Sequence, residues 1–205
     1  MSIRTYFEHI DDAIRTKDTS IINVTPGEMP DAILNIPSGS TLDLTKINLV
    51  GLYCTKRRGG NYGYCQVSDL RLSDINDNDY IFPSDRIASE WGGYATGQNE
   101  FAFNMFDNNL NTKAILQMYP SNAHPFGWFV YLPNNTIDCT IYNKWSWYTA
   151  NDSDDRDPVS FGLILGSGDI TDKLDIACVD FQNDYTVTTS RKTLAYSGII
   201  SEVNL

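Results

Sequence analysis

Residues 102–114, AFNMFDNNLNTKA, concentrate the oxygen donors that a hard cation requires. Asp107, Asn109, Asn111 and Thr112 follow one another at short spacing behind the apolar pair Met105 and Phe106. Ca²⁺ takes six to eight oxygens from carboxylate, amide, hydroxyl and backbone groups, and one tight turn supplies several of them at once. The same spacing suits a turn closed by Asx hydrogen bonds alone, so the residues by themselves leave both readings open. A second tract, DINDND at 74–79, begins like an EF-hand loop with Asp74, Asn76 and Asn78. It carries Asp79 where the sharp turn needs Gly and Asp85 where a bidentate Glu belongs, so it reads as a connection between strands.

Recognition chemistry has other candidates. A sugar stacks its apolar face on an aromatic ring while polar side chains take its hydroxyls. Trp91 and Tyr94, the run Lys56, Arg57, Arg58 with Tyr62 and Tyr64, and the cluster Trp145, Trp147, Tyr148 offer those groups. The KRRGG run is either a binding patch or a solvated hairpin tip. In KWSWY the period of two puts both indoles on one face of a strand, toward a ligand or toward a core. The acid-rich NDSDDRDP at 151–158 reads as an exposed loop in which Arg156 relieves repulsion. Catalytic signatures are missing: there is no G-x-S-x-G, H-E-x-x-H or Walker loop, and His9 and His124 lie in separate parts of the chain. The expectation is a protein that is not an enzyme.

Charge and composition narrow the partners. Fifteen Lys+Arg against 26 Asp+Glu leave a formal charge of −11, which argues against duplex nucleic acid and anionic membranes. No run of eighteen apolar residues occurs, and MSIRTYFEHIDDAIRTK lacks the apolar centre of a signal peptide, so neither membrane insertion nor Sec export is expected. The sequons at Asn23, Asn134 and Asn151 carry little weight without such a signal. Cys54, Cys65, Cys139 and Cys178 have no metal-binding spacing and read as small buried hydrophobes. Cys54 and Cys65 bracket the TKRRGGNYGY tip and could face one another across two strands.

These groups need elements to hold them. Ile3, Tyr6, Phe7, Ile10, Ala13 and Ile14 recur at helical spacing, with Arg4, Glu8, Asp11, Asp12 and Arg15 on the other side. Thr25, Pro26 and Glu28 form a capping-box start for a second helix, which runs to about Asn35 and stops before Pro37. Two such helices bury little by themselves, so their stripes need a partner, either the following domain or copies of the same chain. Residues 1–38 are expected to be a helical attachment or oligomerisation module, 39–44 a linker, and 45–205 one domain. From Ile47 onward, β-branched and aromatic runs such as INLVGLYC, GWFVYL, TIDCTIYN and VSFGLILG alternate with Gly, Asn, Asp and Pro clusters. That texture predicts an antiparallel sandwich or barrel.

Two resemblances follow from these motifs. AFNMFDNNLNTKA, GWFVYLPNNTIDCTIYN, RDPVSFGLILGSGD and the SEWGGY loop at 89–94 keep the order and spacing of a discoidin or coagulation-factor C-type domain, a galactose-binding-like β-jelly-roll. The resemblance implies that the hallmark turn holds a structural Ca²⁺ through Asp107, Asn109 and Thr112. Asp69 in QVSDLRL would complete the site, with Glu202 as its rival. Asn108 stands where the family has Gly and Ala114 where it has Trp; Asn tolerates the left-handed conformation that Gly supplies.

The N-terminal stretch resembles a segment of bacteriophage tail, baseplate and other virion proteins. Ile10, Asp12, Ala13, Ile14, Arg15, Lys17, Pro26, Met29, Pro30, Ala32, Ile33 and Ile36 carry the match. It implies a virion structural protein, assembled in the host cytoplasm and docked to other virion proteins through residues 1–38 as a homo-oligomer. The rivals are a receptor-recognition protein that binds a host surface glycan, and a capsid decoration or head-fibre protein.

Overall fold

A computed structural model describes residues 42–60, 63–91, 94–95, 99–118, 126–168 and 174–200. The predicted N-terminal helices lie outside the described residues. So do Tyr62, His124 and Glu202. Within the described residues the chain is mainly β, its only helices being short 3-10 turns.

Eleven strands are present among the described residues. They are β1 (Leu49–Arg57), β2 (Gly63–Val67), β3 (Asp69–Ser73), β4 (Ile87–Trp91), β5 (Tyr94–Ala95), β6 (Ala114–Met118), β7 (Phe126–Tyr131), β8 (Lys144–Tyr148), β9 (Pro158–Gly168), β10 (Leu174–Gln182) and β11 (Leu194–Ile199). A five-stranded sheet runs in the order β10-β9-β1-β7-β4, and two three-stranded sheets run β11-β8-β3 and β2-β6-β5. Every pairing is antiparallel. Ser68 joins β2 to β3, so one nearly continuous stretch of chain serves both small sheets. Its N–H donates to the Tyr148 carbonyl and its hydroxyl to that of Thr112.

The period-two pattern places Val50, Leu52 and Cys54 of β1, Trp128 and Val130 of β7, and Phe161, Leu163 and Leu165 of β9 on one face of the large sheet. Leu70, Leu72, Val67, Trp145 and Trp147 of the small sheets meet them in one core. Phe161 is the ring around which this core is organised. Trp147, Tyr196 and Tyr185 stand edge-on to it at centroid distances of 5.3, 5.2 and 5.8 Å. Edge-to-face pairing adds attraction beyond the area buried.

Two expectations are corrected. TKRRGGNYGY is not a hairpin tip, because β1 pairs with β7 and β9 whereas β2 pairs with β6. A tight turn closes at Arg57 and Gly60, and the chain then crosses from the large sheet to the small one. Cys54 and Cys65 do approach, thiol to thiol, but across the core between two sheets, and both are free. In addition, Leu42 and Leu44, assigned to the linker by composition, pack against the core, and the Leu44 carbonyl accepts from the Cys139 N–H at 2.7 Å. The domain's core therefore reaches back into the 39–44 stretch.

The large sheet also ends irregularly. Its β9–β10 ladder slips between Val179 and Gln182, where Asp180 takes a φ of 51°.

Removing the central ring should be costly. Phe161→Ala is expected to lower the unfolding free energy by about 3–5 kcal/mol, whereas Ile75→Ala, at a side chain 78% exposed, changes it by less than about 0.5 kcal/mol. Urea titrations of the two variants measure the difference.

Candidate functional site

The 3-10 turn Ala102–Phe106 buries Ala102, Met105 and Phe106 and packs against β3. This anchors the polar residues that follow. Asp107 ends the turn, and Asn108 takes a φ of 56°, so the left-handed position expected from the Gly-to-Asn exchange is occupied. Asp107 Oδ1 accepts from the Asn109 N–H at 2.9 Å, and its Oδ2 accepts from the Thr112 hydroxyl at 2.8 Å. The Asn109 side chain points elsewhere: its Oδ1 accepts from the Asn111 N–H and amide, at 3.1 and 3.2 Å. Lys192 donates in turn to Asn111 Oδ1 at 2.9 Å. Of the three turn residues singled out by the sequence, Asp107 and Thr112 converge and the Asn109 side chain does not. Its carbonyl is the group that faces Thr112, accepting from the hydroxyl at 2.8 Å.

Asp69 reaches this turn from β3. It has no exposed surface, and Arg71, two residues along the same strand face, donates from Nε to Oδ2 at 2.7 Å. Arg71 continues to Asp79 Oδ2 at 3.0 Å and lies 4.6 Å over the Tyr148 ring. The other oxygen, Asp69 Oδ1, is buried and accepts no hydrogen bond. Burial pushes the Asp69 carboxyl up to about 7; Arg71 opposes the rise and the neighbouring Asp107 adds to it. The Asn108 N–H faces the carboxylate and favours its ionised form. It stops short of hydrogen-bonding Oδ1, which remains without a partner.

A buried acceptor with no donor costs free energy of order 1–3 kcal/mol, more when it is charged. Asp69 neighbours the Asp107 carboxylate, whose turn also carries the Thr112 hydroxyl and the Asn109 carbonyl, and oxygens of these kinds suit Ca²⁺. Arg71 was not singled out from the sequence, although the Asp-x-Arg spacing on a strand places both side chains on one face.

The other tracts resolve differently. Asp74 accepts from the Asn76 and Asn78 N–H groups, both at 2.8 Å, and from the Asn78 amide. Those bonds, the Asn78 amide foremost, hold its carboxyl below the usual range. Asp79 belongs to Ser73 and Arg71. The 74–79 tract is a self-closed Asx turn.

The expectation of a positive patch at residues 56–58 is corrected. Lys56 pairs with Asp184, Arg57 with Asp155 at 3.1 Å, and Arg58 with Asp154 at 2.7 Å. Arg58 also donates to the Val187 and Thr188 carbonyls at 2.7 and 3.0 Å. The acidic loop 151–157 is thus the partner of Arg57 and Arg58. At its end, Asp157 has no exposed surface and receives both arms of Arg191, at 2.8 and 2.5 Å, with Arg58 3.5 Å away.

Trp145 and Trp147 are corrected likewise. They project to one face, as the spacing required, but that face is the core, where neither has exposed surface. Trp145 Nε1 donates to Asp180 Oδ2 at 2.8 Å, and the Tyr196 hydroxyl donates to the same oxygen at 2.7 Å. A Cβ on Gly198 would come within 1.8 Å of that oxygen, so the pin requires glycine there. Trp91 ends β4 opposite Gly127 and Tyr94 begins β5 opposite Gln117; their side chains lie outside the described residues.

No protein-family model matches the chain, and no curated protein sequence matches it.

The Asp69 carboxyl titrates near 7 when folded and near 4 when unfolded. Between those values the folded chain binds the extra proton, so stability falls as pH rises from about 4 to about 7. In chelator, the denaturant midpoint is expected to decline over that window. Asp69→Asn should flatten the decline without abolishing it, because burial also raises the Asp157 carboxyl. A parent midpoint that rises from pH 4 to 7 contradicts this account.

Proposed function

We propose that this chain is a bacteriophage virion structural protein of the tail or baseplate, in which a galactose-binding-like jelly-roll serves as a non-catalytic adhesion or display domain. The observation that carries the reading is the buried, unpartnered Asp69 Oδ1 beside the Asp107 turn. It joins the two acids that a discoidin-like domain brings to one structural cation. The antiparallel sheets around one core support the domain type, and the motif spanning Ile10 to Ile36 supports the virion setting.

When bound, Ca²⁺ supplies positive charge and coordination that clamp the hallmark turn. Asp69 offers its free Oδ1, Asp107 its carboxylate, and Thr112 and the Asn109 carbonyl neutral oxygens. Arg71 keeps Asp69 oriented from the opposite oxygen. With two acids among neutral donors, occupancy depends on millimolar calcium, as in extracellular modules. If a host surface glycan is recognised, Trp91 and Tyr94 are the residues to carry it, since Arg57, Arg58, Trp145 and Trp147 are committed to internal contacts.

Calcium a hundredfold above its dissociation constant stabilises the folded state by about 2.7 kcal/mol, or roughly 5–10 °C in Tm for a domain of this size. The parent is expected to show that shift against chelator, and Asp107→Ala and Asp69→Asn to lose it. A parent melting curve indifferent to calcium removes the cation from the proposal.

The virion setting is tested separately. Mass spectrometry of density-purified particles of the encoding phage should recover peptides from residues 42–200; their absence overturns the assignment. On a glycan array the full chain either binds in a manner lost with Trp91→Ala, which makes adhesion the role, or gives a blank, which leaves assembly.

A further inference from the structure

The five-stranded sheet is apolar on both faces. Opposite the core, Leu49 and Tyr53 of β1, Phe129 and Tyr131 of β7 and Ile164 of β9 form a second buried cluster, with Ile176, Cys178 and Phe181 packed against it. The register places small residues among these large ones. Gly51 lies between Phe129 and Ile164, Gly127 and Gly162 flank Tyr53, and Gly166 stands beside Leu49. Leu49 is 0% exposed and Phe129 1%. Among the described residues, every member of this cluster comes from the sheet's own strands. Antiparallel sheets ordinarily leave one face to water, with polar residues alternating outward, and this one does not.

We infer that residues 1–38 of the same chain cover this face, laying the stripe Ile3, Phe7, Ile10, Ile14 across the outer cluster. Three observations commit the occupant. The cluster is buried within a single copy of the chain, so its cover does not require a second one. Residues 1–41 enter the described domain at Leu42, seven positions before Leu49, which is the first outward residue of the central strand. The dimensions also agree. Five strands spaced about 4.8 Å apart span about 19 Å, and a 14-residue helix rises about 21 Å. None of the remaining undescribed stretches is long enough for a helix that spans the sheet, the longest of them being residues 119–125.

Residues 1–38 are then part of the β domain's hydrophobic interior and not a separable module. In the virion setting, the surface left for other particle proteins is the charged side, Arg4, Glu8, Asp11, Asp12 and Arg15. The inference itself holds whether or not the chain is a virion protein.

Cys178 reports on the cover. It packs half-buried against the outer cluster, with its thiol pushed up to about 12 by burial, while Cys54, Cys65 and Cys139 lie buried in the inner core. The experiment is maleimide labelling of the full chain with the modified cysteines located by mass spectrometry, in the parent and in the double variant Phe7→Asp, Ile10→Asp. The parent should label slowly. The variant should label at Cys178 at least tenfold faster, with the other three cysteines still protected. An unchanged Cys178 rate in a folded variant overturns the inference. So does parent protection that is lost on dilution as a dimer dissociates in sedimentation, which would assign the face to a second copy. If all four cysteines label together the double variant has unfolded, and the milder Ile10→Ala takes its place under the same criteria: faster labelling confined to Cys178 supports the inference and an unchanged rate overturns it.

Discussion

A single carboxylate without access to water, Asp157, organises one end of this molecule. It lies just before β9 and is held by both arms of Arg191 from the loop before β11, with Arg58 arriving from the turn after β1. Breaking a pair of this kind strands a buried charge, at a cost of several kcal/mol, so the loops that bring the guanidiniums have little freedom. The rest of that end follows. Arg58 and Arg191 also take the carbonyls of residues 187–189, and Lys113, at the foot of β6, takes Asp152 at 2.9 Å. Gln66 closes the same loop through the Asp152 and Ser153 carbonyls. The Asp107 turn hangs from this frame by Lys113 on one side and by the Lys192–Asn111 bond on the other. Its geometry is inherited from loops far away in sequence.

That arrangement explains what the sequence could and could not disclose. Period-two runs identified strands and put Trp145 and Trp147 on one face, because each depends on neighbours within a few residues, while the left-handed position of Asn108 came from the resemblance of its turn. The neutralisation of Arg57 and Arg58 by Asp155 and Asp154 joins residues about a hundred positions apart, and nothing local marks it. The crossing from β1 to β2 was read as a hairpin because Gly59 and Gly60 do make a tight turn; which strands pair beyond it is decided by the whole sheet. Asn109 follows the same logic: its type suits a ligand, but its side chain is drawn toward Asn111, whose own oxygen answers to Lys192.

The outer face of the large sheet was legible in a different sense. INLVGLYC, GWFVYL and VSFGLILG are continuous apolar runs, not alternating ones, and continuity is the mark of strands covered on both sides. The N-terminal stripes carry the complementary statement, since two short helices cannot hide them unaided. Physically, these are the two halves of one burial requirement. Its energy scales with area and needs no specific partner atoms, which is why composition announces it while contact lists alone do not.

The slip between Val179 and Gln182 has a bearing on how copies of the chain behave side by side. β10 is an edge strand, and a straight edge presents a row of unpaired amides and carbonyls to any neighbour able to add a strand. The bulge interrupts that row where Asp180 turns left-handed and directs its carboxylate inward to Trp145 and Tyr196. A neighbouring strand would have to unmake that pin to extend the sheet. The irregularity therefore makes the β10 edge a poor template for an added strand.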